Sequence, residues 1–263
     1  SFIFDLIILE QRSLNLANAA IEIYGSNFDP SFLPLDPNFA SMAFDVFIPL
    51  IELHKEYLLS PIFWKLKTRG KFIDGVGKIY LKWCSEAHNT YLQYADAMAT
   101  VHEIISWEKE HNTKFGSWLK QIDNSPEVTR SKLYHDVIFF GGFFKSLQNM
   151  PVTLQSILKN TDPSMEDYEY LKLAISEIEN LNSTVNQVHG IAVDHRRVIR
   201  FSRQLVIGTG GSNTIGYVNI TNDSTSALDR QEKLDLKLTE KSRKMVKSGM
   251  VFKKRDLWLE ATP

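Results

Sequence analysis

The chain has 263 residues, 43% hydrophobic and 23% charged, a balance that supports a sizeable buried core in one large or two small soluble domains. Its formal net charge of -1 supplies no global field for nucleic acid or an anionic membrane, so contact with either would need a local patch, and no nucleic-acid partner is expected. A single cysteine, Cys84, excludes an internal disulfide and a thiolate metal cage, and no apolar run reaches the roughly 18 to 20 residues that span a bilayer, so a cytoplasmic protein is expected. The apolar start Phe2 to Leu9 lacks the basic flank and cleavage site of a signal peptide, so the sequons at Asn182, Asn219 and Asn222 are read as unmodified. Both ends fall inside patterned segments, as in an excised fragment.

From Phe2 to Tyr24 the apolar residues Ile3, Leu6, Ile7, Leu14, Ala17 and Ile21 recur at spacings of three and four, which predicts a helix with one buried face, ended by Gly25. Pro30, Pro34 and Pro37 make residues 26 to 38 a loop. A second helix runs through Phe44, Phe47, Leu50, Ile51, His54 and Leu58, with Pro49 marking a kink or a late start. After a break from Gly70 to Gly77, Val76, Ile79, Tyr80, Trp83, Ala87, Tyr91, Tyr94 and Met98 predict a helix reaching about Trp107, followed by a short one around Phe115, Trp118 and Leu119. Residues 131 to 160 are apolar on nearly every face, which predicts a helix buried in the middle of a bundle. Ser164 followed by Asp167 is the signature of a capped start, and Leu171, Ile175, Ile178, Leu181, Val185 and Val188 carry a long helix to about Val206, roughly 40 residues or 60 Å.

The expected fold class is therefore all-α: an elongated multi-helix bundle with a long C-terminal helix, followed by a truncated β element. Residues 208–231 are rich in Gly, Ser, Thr and Asn and lie in an expected flexible linker or insertion over 208–240, and Met250, Phe252, Leu257 and Leu259 around Lys253, Lys254 and Arg255 open the β element.

Motifs of bond chemistry are absent. The run Gly208 to Ser212 lacks the Gly-Lys-Ser/Thr ending of a phosphate loop. His102, Glu103 and His111 do not have the spacing that aims two imidazoles at one zinc, so no metal and no cofactor are expected. Arg196, Arg197, Arg200 and Arg203 complement the carbonyl end of the long helix and read as a solvated face. No serine elbow, cysteine-histidine pair or paired acid-base carboxylates stand out. Periodicity alone ends at a helical domain that binds other proteins along a helix face.

The order of segments resembles the Dbl-homology family. Asp5-Leu6-Ile7-Ile8-Leu9-Glu10 is similar to the family's opening helix, and Ile51-Glu52-Leu53-His54-Lys55-Glu56-Tyr57-Leu58 to its second conserved region. Gly77-Lys78-Ile79-Tyr80-Leu81 and Tyr91-Leu92-Gln93-Tyr94 look like the next helix. Pro151-Val152-Thr153-Leu154, Leu158-Lys159-Asn160-Thr161 and Asp167-Tyr168-Glu169-Tyr170-Leu171 look like the third region and the final helix. Arg243 to Val251 is similar to the helix-to-strand junction that opens a pleckstrin-homology domain. The implied organisation is 1–207 Dbl-homology domain, 208–240 linker and 241–263 the start of a pleckstrin-homology domain.

The resemblance implies a guanine nucleotide exchange factor that grips the switch regions of a Rho-family small GTPase and stabilises its nucleotide-free form, without covalent chemistry; the Asn- and Ser-rich insertion suggests a cell-polarity or cell-wall regulator, and a role toward the cytoskeleton is expected. It places Glu10 against switch 1 and Asn186 against switch 2. The third region departs from the family: Phe143-Phe144-Lys145-Ser146 stands where relatives have a glutamine-arginine pair after a proline, and Asn149-Met150-Pro151 where many have a basic residue. The basic contact to switch 2 is then missing or moved to Lys145, with Gln148 and Asn149 beside it. His54 is expected to pack in the core, bonded to backbone. The resemblance further implies recruitment to the cell cortex and phosphoinositide contact through the remainder of the pleckstrin-homology domain. Two other readings stay open: a catalytically weak or inactive scaffold that binds a GTPase or polarity partner, and a coiled-coil-like tether, for which sustained heptads are missing.

Overall fold

A computed structural model describes residues 2–70, 73–204, 240, 243, 246, 251–255 and 258–262, and the chain divides into two compact units, Ser1–Gly190 and Ile191–Pro263. In the first unit α1 (Phe2–Ala19) continues through a wide π turn, Ala20–Tyr24, and a 3-10 turn, Gly25–Asn27, so the helical path runs past the glycine expected to end it. The expected loop is capped inside itself, Asp29 accepting the Ser31 N–H before a 3-10 turn at Pro30–Phe32.

The second predicted helix is a chain of shorter ones: α2 (Phe47–His54), a π turn at Lys55–Leu59 and α3 (Ser60–Arg69). A π turn at Ser41–Asp45 leads into α2, and Pro49 falls in the first turn of α2, where a missing N–H costs no α-helical bond. Gly75, at φ +67°, lets the backbone turn into α4 (Val76–His111). Asn112, whose side chain accepts the Phe115 N–H, starts α5 (Thr113–Asp123), and Ser125 caps α6 (Pro126–Ser131) in the same way.

The predicted single buried helix over 131–160 is corrected. It is two helices, α7 (His135–Phe140) and α8 (Gly142–Leu158), parted at Gly141, and both keep an outer face: Val137, Phe140 and Val152 are exposed. The apolar count was high because those side chains face outward among polar neighbours. Ser164 does not form the expected pair with Asp167 either; its hydroxyl donates to Asp162 Oδ1. Asp167 instead reaches across to α4, accepting the Val76 and Gly77 N–H groups at 2.9 and 3.0 Å. That carboxylate, on the first turn of α9 (Glu166–Gln204), satisfies two orphan donors at the start of another helix. Gly77 makes the approach possible, since a Cβ there would lie 2.4 Å from the Leu171 nitrogen.

The core is aromatic. Trp83, Tyr80, Tyr91 and Tyr94 of α4 pack with Phe47 of α2 and Phe143 of α8, while Phe28, Phe39, Phe44, Phe115 and Trp118 fill the space under the proline-rich loop. α1 lies along both α2 and α8.

In the second unit α9 runs on to Gln204, with Arg197 paired to Asp194 one turn earlier. Val251–Arg255 (β1) and Trp258–Thr262 (β2) form an antiparallel hairpin in which Val251 faces Thr262 and Arg255 faces Trp258. The expected linker 208–240, apart from Glu240, lies outside the described residues.

Candidate partner-binding site

Helix α8 sets the frame of the site. Phe143, Leu147, Met150, Leu154 and Ile157 follow the helical period and are buried, which turns the opposite stripe, Lys145, Gln148, Asn149 and Val152, outward. Val152 is 63% exposed, an aliphatic side chain standing in the middle of a polar stripe. Along one edge runs α1, held by a hydrogen bond between the Ser13 and Ser146 hydroxyls and by the fit of Gly142 against Leu16. These two contacts make α1 and α8 antiparallel, and Asp5, Ile8 and Arg12 of α1 remain exposed beside the seam.

Along the other edge lies α9. Pro151 sits inside α8 and has no N–H, so the carbonyl four residues back, Leu147 C=O, loses its helical donor. The Asn182 side chain supplies one, donating through Nδ2 at 3.2 Å. Seven residues on, the His189 ring meets Phe144 of α8 edge to face at 4.9 Å, and its Nε2 lies 3.3 Å from Nδ1 of His102 on α4. His102 in turn gives Nε2–H to the Phe139 carbonyl and stacks on Phe140, ring centroids 4.8 Å apart. Because a carbonyl only accepts, His102 carries its proton on Nε2 and accepts at Nδ1, so His189 donates from Nε2. Burial holds His102 down to about pKa 4, with the Phe139 carbonyl opposing and His189 adding to the shift, and burial lowers His189 as well. Both rings are therefore neutral at physiological pH.

Asn186 is exposed between these two attachments, one turn after Asn182 and one before His189. Lys145, Gln148, Asn149 and Asn186 thus share the outer face of the α8–α9 seam. Glu10 does not. It is fully buried, with Oε2 2.5 Å from Nδ1 of His54, and His54 Nε2 lies 2.9 Å from the Tyr91 hydroxyl. The expectation of a surface contact at Glu10 is corrected by position: it falls on the same stripe of α1 as Leu6, Leu14 and Ala17, all core residues. The His54 packing role holds, with a carboxylate and a phenol as partners in place of backbone. Burial and the neighbouring Glu10 push the Tyr80 phenol well above its ordinary value.

Sequence reasoning missed Ser13, Ser146, Asn182, Val152 and the His102–His189 pair. One signal was present: a proline in mid-helix leaves an orphan carbonyl that some donor must satisfy. The histidines, 87 positions apart, offered none. Among the described residues no three His, Cys, Asp or Glu side chains are placed to hold a metal ion, and no helix is long and apolar enough to cross a membrane.

Comparison with known proteins places this geometry. The "Rho1 guanine nucleotide exchange factor TUS1" of Saccharomyces cerevisiae is 70% identical over 266 residues, covering 100% of this chain and 20% of that protein. The "Rho1 guanine nucleotide exchange factor 3" of Schizosaccharomyces pombe is 25% identical over 155 residues, 59% of this chain and 12% of that one. The chain therefore spans a fifth or less of these relatives. Among solved structures, the DH/PH fragment of PDZ-RhoGEF in complex with human RhoA gives a TM-score of 0.68 at 18% identity over 99% of this chain and 70% of that chain. The DH/PH domains of p115-RhoGEF give 0.64 at 18% identity over 77% and 54%. At that identity these structures show the fold. The family described as RhoGEF domain matches residues 2–186, and the chain belongs to it.

Proposed function

We propose that the outer face of α8, with its α1 and α9 edges, is the surface through which this chain accelerates nucleotide release from a Rho-type small GTPase. The observation that carries the reading is the exposed set Lys145, Gln148, Asn149, Val152 and Asn186 on rigid, mutually bonded helices, in a chain of the RhoGEF family whose 70% identical relative is named a Rho1 exchange factor. An exchange factor performs no bond chemistry. It binds the nucleotide-free GTPase better than the loaded form, so its binding energy acts on the difference between states. Against a nucleotide held at nanomolar strength that difference must offset about 12 kcal/mol, which favours a preorganised surface over a loop. Lys145 is the exposed cation of the stripe and the candidate for an acidic switch residue. Asn186 offers both a donor and an acceptor.

The test is release of a fluorescent guanine nucleotide from a panel of Rho-type GTPases, with wild type and Asn186→Ala side by side. Acceleration on one member, cut at least tenfold in the variant at unchanged thermal stability, supports the reading; a flat panel overturns it. The burial of Glu10 favours a second reading, a scaffold that binds the GTPase without exchanging it, because the carboxylate expected at the interface is engaged by His54. Stable GTPase binding with no release would select it.

The hairpin β1–β2 supports the assignment of residues 241–263 as the start of a pleckstrin-homology domain. Phosphoinositide contact by that domain and recruitment to the cell cortex belong to the same proposal. Binding of the longer protein to phosphoinositide-containing vesicles would test both.

A further inference from the structure

Nothing in the outer stripe itself explains why α9, joined to α8 by a turn at residues 159–165, should present Asn186 at a fixed height along α8. The two side-chain hydrogen bonds that bracket it do. Asn182 is tied to the carbonyl that Pro151 leaves free, and His189 is tied to His102, which is anchored to the end of α7. Each bond fixes a different degree of freedom. The Asn182 bond sets the register of α9 against α8, because only one carbonyl on α8 lacks its helical donor through Pro151. The His189 bond sets its rotation, since the ring is held edge-on by Phe144 and must present Nε2–H to an acceptor inside the bundle.

We infer that Asn182 and His189 are positioning residues for exchange, a two-point clamp that holds Asn186 in line with Lys145, Gln148 and Asn149. The inference rests on the exchange reading for its consequence and on geometry alone for its mechanism. His189 and His102 face one another, Phe139, Phe140 and Phe144; burial lowers the proton affinity of both rings, and at His102 the Phe139 carbonyl opposes that shift while His189 adds to it. Neutral rings in one tautomeric order are thus a built property of the site. A clamp of this kind stays out of contact with the GTPase and acts by removing the freedom that α9 would otherwise lose on binding.

The experiment compares wild type with Asn182→Ala, His189→Leu and His189→Gln. Glutamine places an amide donor near the position of the imidazole Nε2–H and restores the bond to His102, whereas leucine keeps bulk and loses it. Two readouts are taken. The first needs no GTPase: nitrogen chemical shifts of the imidazoles, expected to show Nε2–H on both rings, and amide hydrogen exchange across residues 182–190. The second is the nucleotide-release rate. His189→Leu and Asn182→Ala are expected to speed amide exchange in that segment and to slow nucleotide release at least fivefold. His189→Gln is expected to return both to within about twofold of wild type. Unchanged amide exchange in His189→Leu, or His189→Gln as impaired as His189→Leu, overturns the clamp. A wild type that shows the tautomers and the protected segment but exchanges no GTPase overturns the exchange reading and leaves the clamp standing.

Discussion

The Glu10 carboxylate and the His54 imidazole are joined at 2.5 Å with neither side chain exposed to solvent, and the second ring nitrogen continues the line to Tyr91. α1, α2 and α4 are thereby locked through one buried polar chain. Glu10→Ala would leave the His54 Nδ1–H without its acceptor in an aromatic core, so a loss of about 3 kcal/mol or more is expected, read as a fall in the urea midpoint. Glu10→Gln keeps an acceptor for His54 Nδ1–H and should cost clearly less. An unchanged midpoint in Glu10→Ala would contradict the buried role.

The junction of α4 with α9 predicts a second pair of effects. Gly77→Ala would drive a methyl to 2.4 Å from the Leu171 nitrogen and 2.5 Å from the Tyr170 carbonyl carbon, backbone that cannot swing aside. A loss of about 2 to 3 kcal/mol is expected. Asp167→Ala removes the acceptor for the Val76 and Gly77 N–H groups and should cost about 1 to 2 kcal/mol. Both are measured by thermal or urea unfolding.

Pro151 and Asn182 should be coupled although they sit on different helices. Asn182→Ala alone leaves the Leu147 carbonyl unpaired, at a cost of about 1 kcal/mol. In a Pro151→Ala background the restored N–H of residue 151 can serve that carbonyl, so the cost of Asn182→Ala should shrink toward zero. A double-mutant cycle measures the difference, and strictly additive effects would show that Asn182 does not act on the orphan carbonyl.

The buried histidines predict acid sensitivity. His102 titrates at about 4 when folded against 6.5 when exposed, so between those values the unfolded chain takes up a proton that the folded chain refuses. The contribution of the neutral ring is complete above pH 6.5 and is lost as pH falls toward 4, by about 3 kcal/mol at most. The lowered His189 acts in the same direction. His102→Gln should flatten the slope of melting temperature against pH over that window; an unaltered slope would place the acid sensitivity elsewhere.

Cys84 lines a groove between α4 and α9 with Leu81, His88, Leu173, Glu177 and Leu181, yet it should be inert. Burial, with the charge of Glu177 adding to it, pushes its thiol up to about 11, so little thiolate exists at neutral pH. Iodoacetamide at pH 7.5 should label it slowly in native protein and rapidly in urea, as followed by mass spectrometry. Rapid native labelling would contradict this burial.

Helical periodicity made most of the first unit legible: the apolar stripes of α1, α4 and α9 lie where residue spacing puts them, because burial selects one face of a 3.6-residue helix wherever that face meets a core. Glu10 lies on the same stripe of α1 as Leu6, Leu14 and Ala17, a position that the resemblance, which set its carboxylate against switch 1, did not take into account. What spacing could not supply was the identity of partners far apart in the chain. Asp167 sat three residues after a serine and read as half of a local cap, whereas tertiary packing spends it on the start of α4. The run 131 to 160 read as buried on all sides because composition counts apolar side chains without knowing which neighbours cover them. The sequence by itself determined the long helices α1, α4 and α9, their apolar faces and the family. Only the tertiary structure decided which polar groups are consumed inside the bundle, as Glu10 is by His54, and which are left on its outer face, because a hydrogen bond depends on distance in space, and separation along the chain does not encode it.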